Sequence, residues 1–220
     1  MSLITAPLTA AGKYEVEVGS WNLPGFFTIP ENAFGLIVFA HGSGYSHSSP
    51  RNNFVAEQLN HVGLATLLFD LLHPAEEAAQ NRAKVFDITL LAERLIDAVG
   101  WADQAWADEV KPIGLFGAST GAAAALVAAA ELGNRVDAVV SRGGRPDLAG
   151  DALQAVRAPS LLIVGGADRE VLECNRDSLR RMTGTHKLEI VPGATHLFPE
   201  PGAMNRVTQL ATAWFERYLA

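Results

Sequence analysis

The sequence predicts an α/β fold: a mostly parallel, eight-stranded sheet with helices on both faces. Three observations point there. Two period-2 lead segments open the chain, short and nearly continuous apolar runs follow, and helix-patterned stretches separate those runs. The chain has 220 residues, 49% of them apolar, 19% charged, and a net charge of −7. That composition suits a packed core and excludes intrinsic disorder. The acidic balance supplies no broad basic face, so no nucleic-acid partner is expected. Cys174 is the single cysteine, which excludes an internal disulfide and a thiolate metal cluster. No metal or organic cofactor is expected.

In chain order, Tyr14, Val16 and Val18 alternate with charged residues and predict a half-buried strand, and Gly25–Ile29 its partner. Buried strands are expected over Gly35–Ala40, Leu64–Leu72, Pro112–Gly117, Val136–Ser141, Ser160–Val164 and Lys187–Val191. Helices are expected over Asn52–His61 (introduced by Ser49 as cap and Pro50), Asp87–Trp106, Thr120–Leu132 with Gly133 as its C′ residue, Glu173–Met182 and Ala203–Leu219. Residues 1–220 read as a single domain without a cap, since the stretch from Ser141 to Ser160 is too short to hold one. No apolar run is long enough for a membrane helix. The first residues lack a secretory pattern, so a cytoplasmic protein, a monomer or weak homo-oligomer that does not engage membranes, is expected.

Gly117-Ala118-Ser119-Thr120-Gly121 matches G-x-S-x-G. The apolar strand before it and the Ala-rich helix after it form the strand–turn–helix that exposes a nucleophilic serine. Larger side chains two residues either side of Ser119 would collide in so tight a turn. The helix N-terminus favours negative charge developing beside Ser119. A serine needs a base. His196 follows the last strand, and Asp168 follows the strand before it. The order Ser119, Asp168, His196 places each group at the C-terminal edge of a different strand. The turn His41-Gly42-Ser43-Gly44 follows an earlier strand. It suits an oxyanion hole made of the Ser43 and Thr120 amides.

These motifs resemble the dienelactone hydrolase-like family of the α/β-hydrolase superfamily, from roughly Gly35 to the C-terminus. The most specific stretches are His41–Gly44 with Ser49–Asn52, Phe116–Gly121, Ser141–Leu148 and Val191–His196. The resemblance implies an α/β-hydrolase fold with Ser119, His196 and Asp168 as its triad. Relatives named for dienelactone hydrolysis use cysteine as nucleophile. Serine here favours general ester hydrolysis through an acyl-enzyme. Tyr45 stands where small residues are more usual in the family, which should alter the pocket mouth. Tyr45, His47, His73 and Arg142 are candidate pocket residues, with Tyr45 and His73 as walls of an open, shallow site that takes a small ester. For Arg142 and Arg145 the favoured reading is pairing with Asp147 or Asp151, and His41 is expected to orient its own loop. Three other readings stay open: a thioesterase, lactonase or peptidase using the same triad, a designed reactive serine with slow turnover, and a non-catalytic binding module.

Overall fold

The computed structural model describes residues 8–42, 47–77, 79–106 and 111–220, with no side-chain description for residues 79–82. Eight strands form one sheet: β1 (Gly12–Val18), β2 (Leu23–Ile29), β3 (Gly35–Ala40), β4 (Leu64–Phe69), β5 (Ile113–Ala118), β6 (Ala138–Arg142), β7 (Ser160–Gly165) and β8 (His186–Val191). Their spatial order is β1-β2-β4-β3-β5-β6-β7-β8. β1 pairs antiparallel with β2, and β2 antiparallel with β4; every other pairing is parallel.

The helices are α1 (Pro50–His61), the single turn α2 (Pro74–Glu77), α3 (Ile88–Ala105), α4 (Thr120–Leu132), α5 (Arg169–Leu179) and α6 (Ala203–Leu219). Short 3₁₀ segments cover Ala79–Phe86, Gly133–Arg135 and Pro146–Ala155. α3 and α4 pack on one face of the sheet, α1 and α6 on the other. In β3, Leu36, Val38 and Ala40 face the first layer while Ile37 and Phe39 face the second. A strand covered on both sides has no polar face, which is why these segments read as unbroken apolar runs. Each large side chain fully buried here, such as Phe116 or Phe215, contributes roughly 1.5–3 kcal/mol.

The Ala-rich stretch is α4, and its alanines at 122–125, 128 and 129 are wholly buried. It lies between the sheet, α3 and the Pro146–Ala155 segment, so small side chains are needed nearly all the way round. Gly133 ends it with a positive φ of 56°. Trp101, Trp106 and Trp214 are core residues, as their helical spacing suggests.

Several expectations are corrected. β4 stops at Phe69 rather than Leu72: the Asp70 amide still reaches the Pro24 carbonyl, but the Leu71 amide turns to His41 Nε2 instead of a strand. The Ser49 side chain does not cap α1; its carbonyl accepts from the Asn53 backbone and side-chain amides instead. α5 begins at Arg169, directly after Asp168, four residues earlier than its apolar spacing suggests. The turn α2 and the 3₁₀ segments lack an apolar period and were not foreseen.

Going from β3, one connection leads to β4 on one side while β5 lies on the other. The strand order reverses here, and a crevice opens beyond the carboxyl ends of β3 and β5. The candidate residues gather at this edge.

Candidate active site

Ser119 sits on the turn between β5 and α4 with φ 53° and ψ −123°, a conformation that non-glycine residues rarely adopt. The surroundings fix it. A Cβ on Gly117 would lie 2.4 Å from the Cα of Ala122, and one on Gly121 would lie 2.1 Å from the Ala40 carbonyl oxygen. The flanking glycines therefore let α4 start directly against β3. The Ser119 carbonyl accepts from the amides of Ala122 and Arg145 at 3.1 Å each. The Thr120 amide lies in the first turn of α4, where amides have no intrahelical acceptor.

His196 and Asp168 meet on the same edge. His196 Nδ1–H donates to Asp168 Oδ2 at 2.7 Å, which leaves Nε2 as the basic nitrogen. Their loops are tied together: the Ala167 amide donates to the Ala194 carbonyl, and a Cβ on Gly165 would sit 2.3 Å from that oxygen. The Glu200 carboxylate accepts from both the amide and hydroxyl of Thr195, which secures the His196 loop and holds the Glu200 carboxyl below the usual range. Ser119 and His196 flank the Arg142–Gly143 backbone. The Ser119 amide donates to the Arg142 carbonyl at 3.4 Å, and the Gly143 Cβ position lies 3.7 Å from His196 Cε1. Among the described residues no hydrogen bond joins Ser119 Oγ to the His196 ring. In substrate-free hydrolases this contact is often long and tightens in the complex.

Gly42 passes against Ser119; a Cβ there would meet Ser119 Cβ at 2.7 Å and Oγ at 3.4 Å. The next residue, Ser43, assigned to the oxyanion hole from sequence, lies outside the described residues, as does Tyr45. Thr120 is buried beside Ser119, and its Oγ1 has no hydrogen-bond partner among the described residues.

His41 is a structural histidine, as expected. Its Nδ1–H donates to the Gly42 carbonyl at 3.0 Å, and Nε2 accepts the Leu71 amide at 2.9 Å. Burial lowers its pKa, so it stays neutral. The other described pocket candidates each have partners. His47 is half-buried: its backbone N–H and Nδ1–H both donate to Asp70 Oδ1, at 2.6 and 2.9 Å, and its ring stands edge-on to Phe26. His73 Nε2–H donates to the Trp21 carbonyl at 3.0 Å, tying its loop to the β1–β2 turn. Arg142 is buried with Nη2 3.4 Å from Asn52 Oδ1, whereas Arg145 pairs with Asp147 as expected. Asp151 pairs with Arg181. Cys174 lies in α5, and burial pushes its thiol up, away from the reactive thiolate.

Two residues escaped the sequence reading. Asp70 anchors the loop that follows β3, and Glu77 lines a cleft beside Ser119. The cleft is small, about 10 Å³ or room for one water, among His41, Gly42, Leu71, Leu72, Glu77, Val85, Leu91 and Thr120. Asp70 had a legible signal: a lone carboxylate ending an apolar strand on the same sheet edge as the serine turn. Glu77 had none, because only the α2 turn carries it to the cleft.

The fold and this edge define an α/β-hydrolase. More particularly, the chain belongs to the dienelactone hydrolase family, whose model matches residues 23–219. A dienelactone hydrolase from Anabaena variabilis ATCC 29413 is 51% identical, with a TM-score of 0.87 over 95% of this chain and 99% of its own. Est1E from Butyrivibrio proteoclasticus, 17% identical over 94% of this chain and 99% of its own, shares the fold with a TM-score of 0.76. Proteins from two Mycobacterium tuberculosis strains (CDC 1551 / Oshkosh and ATCC 25618 / H37Rv), named provisionally as phosphoribosyl transferases, are 56% identical over 207 residues. Those residues are 93% of this chain but 46% of theirs, so the chain spans about half the length of these curated relatives. Family and fold support an enzyme of the hydrolase type. Among the described residues, no helix is long and apolar enough to cross a membrane.

Proposed function

We propose that this chain is a serine esterase acting on small carboxylic esters, with Ser119 as nucleophile, His196 as base and Asp168 as its orienting carboxylate. One observation carries the reading: a serine held at positive φ on a strand-to-helix turn shares a sheet edge with a histidine whose Nδ1 is engaged by a carboxylate. His196 Nε2 takes the hydroxyl proton as Ser119 Oγ bonds to the ester carbonyl carbon. The carbonyl oxygen becomes an oxyanion, stabilised by the Thr120 amide and by the Ser43 amide assigned from sequence. Collapse breaks the ester C–O bond, and the alcohol leaves with the proton from His196. Water, deprotonated by His196, then attacks the acyl-enzyme, releasing the acid and restoring Ser119.

Lactone or thioester cleavage would use the same groups, and acyl-arm fit would separate them. The phosphoribosyl transfer in the mycobacterial name belongs to proteins about twice as long and is not carried to this chain. We read the chain as a single uncapped domain needing no cofactor.

The test is hydrolysis of short p-nitrophenyl esters by the parent, Ser119→Ala and His196→Ala, with thermal unfolding to verify folding. A loss of about 10³-fold or more in both variants supports the reading. Equal rates in all three overturn it.

A further inference from the structure

β8 forms one edge of the sheet and, among the described residues, pairs only with β7. Its backbone groups alternate in direction. The Thr185 and Val191 carbonyls accept from the Ser160 and Gly166 amides, so the odd-numbered residues bond inward to β7. The N–H and C=O groups of His186, Leu188 and Ile190 therefore point outward. Among the described residues no group of the chain bonds to them. α5 packs on one face of β8 and α6 on the other, while Lys187 and Ile190 beside the rim are exposed, Ile190 by 40% although it is apolar.

An open row of donors and acceptors is a template for another strand, and a lysine on the edge is a common guard against it. Lys187 holds that position, but not as a lone charge: Glu189, two residues on and on the same face, pairs with it at 2.6 Å. Together they make the edge self-complementary in one arrangement. Two copies related by a two-fold axis at Leu188 run antiparallel, so that Leu188 faces its own copy, His186 faces Ile190 and Lys187 faces Glu189. The outward groups of His186, Leu188 and Ile190 can then exchange about six hydrogen bonds across the axis. Lys187 and Glu189 fall in the pairs without hydrogen bonds, where side chains approach most closely, and their charges alternate around the axis. An axis at Lys187 or at Glu189 would instead set like charges face to face. The opposite edge, β1, carries Glu15 and Glu17 against Lys13, so copies meeting there would add net negative charge.

We propose that β8 is a homodimer interface, along which two copies of this chain pair antiparallel about Leu188 and join their sheets into one. The proposal goes beyond the esterase reading and does not rest on it.

Sedimentation velocity of the full chain tests it. Across about 1–200 µM the parent should pass from the mass of one chain towards twice that mass. Lys187→Glu and Glu189→Lys each put like charges into both cross-strand pairs and should weaken dimerisation at least about tenfold. Thermal unfolding should show both variants folded, because a surface ion pair contributes little to stability. Mixed in equal amounts, the two variants should dimerise with each other, since every glutamate of one then faces a lysine of the other. The double swap Lys187→Glu with Glu189→Lys should dimerise like the parent. Hydrogen exchange should slow on dimerisation at the amides of His186, Leu188 and Ile190. A parent that stays monomeric across this range, a dimer that neither single variant weakens, or a mixture that fails to dimerise overturns the proposal.

Discussion

Replacing Gly121 with alanine tests whether close contact between α4 and β3 sets the position of Ser119, the proposed nucleophile. The added Cβ would lie 2.1 Å from the Ala40 carbonyl oxygen and 2.6 Å from that of His41. Contacts shorter than 3.0 Å are essentially never seen, so helix and strand must separate by about 1 Å. β3 cannot yield easily, because it is paired on both sides, to β4 and β5. The start of α4 must move instead, carrying Ser119 and Thr120. Overpacking of this kind costs about 1–3 kcal/mol. At about 2–4 °C per kcal/mol for a chain of this size, Tm should fall by about 2–12 °C. A displacement near 1 Å at a reacting group costs about 10²-fold in rate. Ester hydrolysis and thermal unfolding measure both effects. Gly100→Ala is the control: it lies exposed in α3 with nothing within 4 Å of the added Cβ, and should stabilise by about 0.5–1 kcal/mol without altering the rate. Parental Tm and a kcat/KM within about twofold of the parent in Gly121→Ala would refute the reasoning.

Other substitutions probe the supports of the site. Asp168→Asn should lower kcat by about 10⁴-fold with little change in Tm, because the amide no longer selects the Nδ1–H tautomer of His196; stopped assays with a folded variant would register this. Asp70→Ala removes the acceptor of two N–H bonds from His47, at about 1.5–3 kcal/mol for each bond to a charged group, and urea unfolding should report a loss of about 3 kcal/mol or more. His41 has its pKa lowered below 6.5 by burial, so the unfolded chain binds its proton more readily and stability falls as pH drops below 6.5. His41→Asn lacks that proton; its deficit relative to the parent should narrow between about pH 7 and about pH 5, and a deficit that widens on acidification would contradict the assignment.

The elements with a clear period were legible in the sequence, and those governed by single contacts were not. Ser119, Asp168 and His196 could be placed because each follows an apolar run, and the ends of parallel strands share an edge. The roles of His47 and His73 could not be read, since a loop histidine shows no sign of which carbonyl or carboxylate it will meet. His47 finds Asp70 and His73 finds the Trp21 carbonyl, across separations of 23 and 52 residues. Glu76 and Glu77 are adjacent and chemically identical in sequence. Only the α2 turn gives one of them two cations and the other a cleft. Leu71 and Leu72, apolar beyond Asp70, extended the expected strand past its end at Phe69, but they are buried at the cleft rather than in the ladder.

Covalent capture tests the central claim most directly. A fluorophosphonate should phosphonylate the parent once, at Ser119 as located by peptide mass spectrometry, with labelling abolished in Ser119→Ala and slowed at least about 10³-fold in His196→Ala. Equal labelling in all three proteins, or a label on any other residue, would contradict it.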